Sequence, residues 1–488
     1  MAIYKHGTYG EFADSVGKVA VQSGTTAVYV GCAPVNLIRG YAERVNIPVK
    51  LSDMNEVRRL IGYSANWEKF DLCEAFKVHF DNPGGNVGSI VAINVLNPAT
   101  HKKDADTEAT LTFVNGVAYI QSDTIILDTL KLTGEVEGTD YSVSYDFTKG
   151  RVVISSIGEA ITGSVEATYT EIDVTKVTAD DIIGDATDAG TYSGLSSVRL
   201  VYQELGIIPN LILCPKWSGN KAVYNAMITA GTKINGHWDA FVLADIPVLD
   251  GVTKVDSINT AIQWKETNGY TNERAKVFWP MAKDNNGNVY HAAVLAAWLM
   301  MLVDASHTGI PMESPSNKIV PVSKQYFGAT STNRGFDQQQ ANILNAAGIT
   351  TVCYWGGRWV LWGNHTAAYK HEAVTDNRVI FDNSIRMMMY VSNSFQLDHA
   401  LTIDQPMTRA MKDTILNLEQ AKMDALAAIG AFIGTPVVNF VQSNNSVADM
   451  VEGDFVWSFE GTPTPPFKSA TLKVAYSTAG FDSYFEEV

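Results

Sequence analysis

Residues 210–247, NLILCPKWSGNKAVYNAMITAGTKINGHWDAFVLADIP, decide the fold class. A short apolar run (NLILCP) is followed by SGNKAVYNAMITAGTKI, with apolar residues at helical spacing, and then by a second apolar run (WDAFVLADIP). A strand, a helix and a strand in that order place the two strands side by side and parallel, with the helix as the crossover. Neither strand alternates with polar residues, so both faces of the sheet are expected to be covered. The pattern continues on both sides. LSSVRLVYQELG reads as a helix upstream; downstream, VDSINTAIQWKETNG reads as a helix and AKVFWPM as a strand.

Residues 25–98 repeat this grammar. TTAVYVG is a buried strand, and SDMNEVRRLIGY is a helix expected to begin at Ser52 as N-cap, with Glu56 close to capping-box spacing. FDLCEAFKVHFDNPGG is a second helix stopped by Pro-Gly-Gly, and SIVAINVL is another buried strand. Between Thr107 and about Asp173 the texture changes to Thr-, Val- and Tyr-rich runs of period two, with turns at Asn115-Gly116 and Lys149-Gly150. This predicts an antiparallel unit of five or six strands inserted into the α/β chain. The last third reads as α+β. DQQQANILNAAG is a helix closed by Gly348, and ITTVCYWGGRWVLWG is a hairpin turning at Gly356-Gly357. A long helix, 409–433, is expected to end at Gly434, with Met411, Ile415, Leu418, Leu426, Ile429 and Ile433 on one face and Arg409, Asp413, Gln420 and Asp424 on the other.

Composition narrows the functions. The 488 residues are 46% hydrophobic and 10% aromatic, which is the make-up of an ordered chain. The net charge is −16 and no more than two basic residues are adjacent, so no stripe exists to displace counterions from nucleic acid or to seek an anionic membrane. HAAVLAAWLMMLVDASH is too short to span a bilayer and reads as a buried helix. The N-terminus lacks the basic and apolar regions of a signal peptide. With that, the four cysteines (Cys32, Cys73, Cys214, Cys353) are expected to be buried thiols of a chain made in a reducing cytoplasm. No phosphate-binding loop, zinc-helix motif, nucleophile elbow or dinucleotide fingerprint is present: SGNKAV at Ser218 lacks the second glycine, and Cys73/His79 and His365/His371 lack metal-ligand spacing. No catalytic residue, metal or cofactor is expected.

Three stretches carry a family resemblance. HGTYGEF (6–12) and SGTTAVYVG (23–31) stand where an extended arm turns into the first strand, with His6 in place of the family's proline. AAWLMMLVDASHTGIPMESPSNKIV (296–320) keeps Asp304, Gly309, Pro315 and Asn317 at like spacing, with Ser316 replacing alanine. LNAAGITTVCYWGGRWVLWGNHT (344–366) keeps Leu344, Asn345, Gly348, Ile349, Trp362, Gly363 and Thr366, and departs at 353–355 and His365. The chain resembles the contractile tail sheath proteins of myoviruses and R-type bacteriocins over residues 1–100 and 190–488.

The resemblance implies a multidomain α/β and α+β protein with extended arms at both ends. Its expected layout is an arm at 1–24, a discontinuous α/β domain at 25–105 and 190–320, an outward-facing β-insert at 106–175, a core α+β domain at 321–468 and an arm at 469–488. It further implies a structural subunit that polymerises as stacked rings around an inner tail tube and contracts to drive that tube through a bacterial envelope. Baseplate and tail terminator proteins would be its other partners, and the host cytoplasm its place of assembly into a virion tail or bacteriocin particle. The arms would pair as strands with neighbouring copies through Tyr4, Tyr9 and Phe12 at one end and Leu472, Val474 and Tyr476 at the other. A helix of the C-terminal domain would face the tube, with Arg409, Asp413, Gln420 and Asp424 as its candidates. The competing readings are a hydrolase-like α/β enzyme and a non-contractile lattice protein.

Overall fold

A computed structural model describes residues 21–22, 24–158, 161–374 and 376–485. Its centre is an eight-stranded sheet made, in chain order, of β1 (Ala27–Gly31), β2 (Pro48–Leu51), β3 (Ile90–Asn94), β4 (Leu211–Leu213), β5 (Phe241–Asp245), β6 (Ala275–Phe278), β7 (Ile349–Trp355) and β8 (Arg358–Trp362). The spatial order is β8-β7-β6-β5-β4-β1-β3-β2. The six inner strands are parallel, with Leu211 opposite both Ala27 and Phe241, and only the edge strands β2 and β8 run antiparallel. The 210–247 reading therefore holds at the heart of the sheet.

Helices cover both faces: α1 (Met54–Leu60), α2 (Leu72–Phe80), α3 (Lys221–Ala230), α4 (Ile258–Asn268), α5 (Ala292–Ser306) and α6 (Gln338–Ala346). Twelve of the fifteen residues of α5 are buried, so its apolar run is core. Among the described residues no helix is long and apolar enough to cross a membrane. The N-cap of α1 is Asp53 rather than Ser52: the Asp53 carboxylate accepts from the Asn55 and Glu56 amides, while the Ser52 amide donates to the Glu56 side chain. The acid outcompetes the hydroxyl because its charge also meets the positive end of the helix. Residues 194–205 form a 3-10 turn leading into a six-residue helix, shorter than the single helix expected. All four cysteines are free and buried.

Residues 107–169 form two three-stranded antiparallel sheets, one from 117–120, 151–156 and 141–146 and the other from 107–113, 163–169 and 131–132. They enclose their own apolar cluster, which includes Phe113, Ile125, Val152 and Ile154. Asp123 fastens this unit to the α/β body, accepting from Ser64 Oγ and Lys69 Nζ, both at 2.9 Å.

The part after residue 381 contains α7 (Asp382–Asp398), α8 (Arg409–Ala428) and the antiparallel pair β9 (Phe432–Asn439) and β10 (Ser458–Pro463), with a short helix, Val447–Glu452, between the two strands. Three expectations change here. The 349–362 hairpin, placed in a unit spanning 321–468, joins the central sheet instead, because β7 pairs in parallel with β6. Helix α8 stops at Ala428, where Gly430 takes a φ of 84° and the Ala431 amide returns to the Leu426 carbonyl; Gly434 lies inside β9. The buried stripe of α8 is Ile415, Glu419, Met423 and Leu426, whereas Leu418, Ile429 and Ile433 are about half exposed. The stripe faces a cluster that includes Met387 and Val391 of α7 and Phe432 and Val438 of β9, and Glu419 sits in it paired with His399 at 2.7 Å.

Candidate functional site

The residues of the 296–320 and 344–366 motifs converge on the first two turns of α7. Asp304, near the C-terminal end of α5, is completely buried. Its carboxylate accepts from Thr25 Oγ1 at 2.6 Å and pairs with the Arg386 guanidinium of α7. Burial pushes the Asp304 carboxyl up, and Arg386 pulls it back toward the charged state. One helical turn earlier, Asp382 accepts from Lys276 Nζ at 2.7 Å and Ser314 Oγ at 3.1 Å. Lys276, on β6, also donates to the Gly363 and His365 carbonyls at 3.0 and 3.1 Å. Neither Lys276 nor Asp382 has side-chain exposure, and burial depresses the Lys276 ammonium while Asp382 opposes that shift. Helix α7 thus presents an acid and a base at i and i+4, the acid paired to the sheet and the base to α5.

Both ends of the described body meet this helix. Thr25 reaches it through Asp304, and Asn383 Nδ2 donates to the Met312 and Thr464 carbonyls at 2.9 and 3.0 Å, where the chain leaves β10. Gly309, with a φ of 86°, lies against Gly24, so that a Cβ on either would come within 3 Å of the other's Cα. Asn317 adopts a φ of 63° and donates its amide to Leu361, and Pro315 is buried beside it. Asn345 Nδ2 donates to the Ile349 and Trp362 carbonyls, and a Cβ on Gly363 would stand 2.8 Å from that nitrogen. Leu344 and Gly348 are buried, Trp362 Nε1 donates to Asn342, and Thr366 Oγ1 donates to Val379.

The other candidates are not drawn together. Tyr4, Tyr9 and Phe12 lie outside the described residues. Leu472, Val474 and Tyr476 are 86%, 86% and 83% exposed, and 464–477 forms no strand within this single chain. Arg409 and Asp424 are exposed, Asp413 lies beside Lys412, and Gln420 is occupied by β9, accepting from the Val438 amide and donating to the Pro436 carbonyl, both at 2.9 Å. The reading from sequence missed Thr25, Lys276, Asp382 and Arg386. A lysine inside the apolar strand AKVFWP was the available signal, since a buried cation requires a partner.

A second titratable group lies at the carboxyl end of the parallel strands, where α/β enzymes hold ligands. Glu74 pairs with His291 Nδ1 at 2.7 Å, Asp245 accepts from the Ala293 amide, and Asp71 accepts from the Cys32 amide and Trp217 Nε1. Glu74 and Asp71 are thereby spent on holding a backbone or a side chain in place, whereas Asp245 Oδ2 is buried without a hydrogen-bond partner among the described residues. Among the described residues no three His, Cys, Asp or Glu side chains could share a metal. Burial raises Asp71 and Asp245 to about 6. Burial opposes the His291 imidazolium, but Glu74 overrides it and the group reaches about 9. A folded-state value above the ordinary 6.5 gives stability that is complete below pH 6.5 and lost as pH rises through 9. H291Q is expected to flatten the decline in thermal stability between pH 6.5 and 9. An unchanged decline would show that the Glu74–His291 pair does not cause it.

No protein-family profile matches the chain. It is 26% identical over 463 residues to the tail sheath protein of Burkholderia phage BcepMu, an alignment covering 91% of this chain and 90% of that one. The chain is similar to tail sheath proteins along most of its length. Its fold also recurs in solved structures. It matches a chain of the anti-feeding prophage baseplate with a TM-score of 0.56 and 12% identity, covering 98% of this chain and 100% of that one. It matches a chain of the contracted sheath complex of the extracellular contractile injection system PVC with a TM-score of 0.54 and 10% identity, covering 98% and 99%.

Proposed function

We propose that the chain is the subunit of a contractile tail sheath: copies stack as rings around an inner tube, and contraction drives the tube through a bacterial envelope. The observation that carries this is similarity to a tail sheath protein along nine-tenths of both chains. The role is structural and takes no cofactor. Identical heterologous contacts repeated along a helix sum many modest interface gains, and contraction is a change between two packings. Residues 1–20 and 469–488 serve as arms that reach neighbouring copies and add strands to them; the arm expected at 1–24 is shorter, because Val21–Gln22 pair with Val87–Gly88 of the same chain and Gly24 packs on Gly309. The exposed alternation of Leu472, Val474 and Tyr476 suits strand addition, which pairs the free backbone groups of an edge while side chains select the register. Arg409, Asp413 and Asp424 face the tube, and the 106–175 insert faces outward. Baseplate and terminator proteins cap the assembly in the virion tail or bacteriocin particle.

Negative-stain electron microscopy of the purified full chain is expected to show hollow striated tubes, and deletion of residues 1–20 is expected to abolish them. Small uniform particles from the full chain under all salt conditions would refute the sheath reading. Tubes surviving the deletion would refute the N-terminal arm alone.

A further inference from the structure

The largest cavity described, about 1090 Å³, lies beside the edge strand β8 and is walled partly by residues 466–470. Its lining is unlike the rest of this acidic chain. Trp355 and Trp362 form one wall, their rings 5.9 Å apart, and Arg358 and Lys468 belong to the lining, as does His371, which lies beside Glu372. Arg358 is exposed on the hairpin and makes no ion pair among the described residues. The single acid of the lining, Glu313, is already held by Lys318 and His307. The site is therefore an aromatic, basic recess with unspent positive charge, of a size that takes several side chains.

The same chain carries a segment of opposite character. AGFDSYFEEV (479–488) has three aromatic residues, three acids and no base. Phe481, Tyr484 and Phe485 are 53%, 79% and 88% exposed, an unusual display of aromatic surface. Residues 471–485 are all exposed, so the described part of the segment stands off its own body.

We propose that this recess receives the 479–488 segment of a second copy. The aromatic side chains enter against Trp355 and Trp362, and Asp482, Glu486 and Glu487 meet Arg358 and Lys468. The contact is a plug in a cavity, separate from strand addition by residues 470–476, and it rests on the reading that copies assemble. Because the plug and recess are different surfaces, the contact is heterologous and repeats along a helix without closing into a dimer. Anion-to-guanidinium contacts of this kind weaken with salt.

The test uses two full-length chains, one carrying S483C on the plug and the other I319C, an exposed position in the recess lining. Mixed and oxidised, they are expected to form disulfide-linked dimers at least tenfold faster than when the recess chain also carries R358E, and high salt is expected to slow the reaction likewise. R358Q serves as a milder second variant, with thermal unfolding as the check that each chain is folded. Dimers forming at equal rates with and without R358E and R358Q, or no dimers, overturn the proposal. A chain carrying both S483C and I319C that closes on itself while the mixture stays monomeric also overturns it, because the occupant would then be its own tail. Microscopy separates this from the sheath reading: tubes without the cross-link sink the plug alone, and the cross-link without tubes sinks the sheath.

Discussion

Arg386→Met is expected to lower the melting temperature by on the order of 3–5 °C, corresponding to a loss of about 3–5 kcal/mol. The guanidinium is the cation hydrogen-bonded to Asp304, whose carboxylate has no exposure and would keep the Thr25 hydroxyl as its donor among the described residues. A buried charge without its counter-ion costs far more than the intact pair contributes, so the double substitution D304L/R386M is expected to recover to within about 1 kcal/mol of the parent. What the double variant cannot restore is the acceptor for Thr25. Hydrogen exchange at residues 24–26 is therefore expected to accelerate in the double variant even though its melting temperature is near normal. Calorimetry and exchange together decide the matter: equal losses in the single and double variants would mean that Asp304 and Arg386 do not act as a pair. Unchanged exchange at 24–26 would mean that the pair does not anchor the root of the N-terminal segment.

That anchoring explains why Asp304 and Gly309 belong to one motif. The acid holds Thr25 by a hydrogen bond, and the glycine lets the backbone at Gly24 approach within a distance that any side chain would block. With Asn383 holding the Thr464 carbonyl, α7 fixes the points from which both ends of the chain depart within one turn of helix. If the ends are arms, force applied to either reaches the same helix.

The parallel sheet was legible because its strands are short, apolar and separated by helices with their own caps, so that local pattern and global layer agree. The insert was legible for the same reason, its period-two runs ending at Asn115-Gly116 and Lys149-Gly150. The hairpin 349–362 was read correctly as a hairpin and assigned to the wrong neighbours, because pairing with β6 is a contact across more than seventy residues that no local pattern encodes. The stripe of α8 was misplaced because Glu419 fills a core position by virtue of His399, a partner on another element. The same cause hid the centre of the candidate site. Lys276, Asp382 and Arg386 are ordinary surface types until the fold removes them from water together, whereas Gly309 and Gly363 stood out through a family motif.

Lys276→Met tests the other half of the junction, and its signature is in pH as much as in size. Removing the ammonium leaves the Asp382 carboxylate buried with Ser314 Oγ and the Asn383 amide as its remaining donors. Near neutral pH the loss is expected to be about 3–5 kcal/mol. Without its counter-ion the buried Asp382 carboxylate is expected to favour its neutral form, so the folded variant takes up a proton there more readily than the unfolded chain. A raised carboxyl favours folding at low pH and loses that contribution as pH rises, so the deficit relative to the parent is expected to shrink steadily as the pH is lowered from 8 to 4.5. K276M/D382N carries no charge at either position, and its stability difference from K276M is expected to be large at pH 8 and small at pH 4.5. A K276M deficit that stays constant over this range would show that Asp382 finds another cation or water in the variant, and the junction would then owe its rigidity to packing around Met387 and Val391 instead of to paired charges.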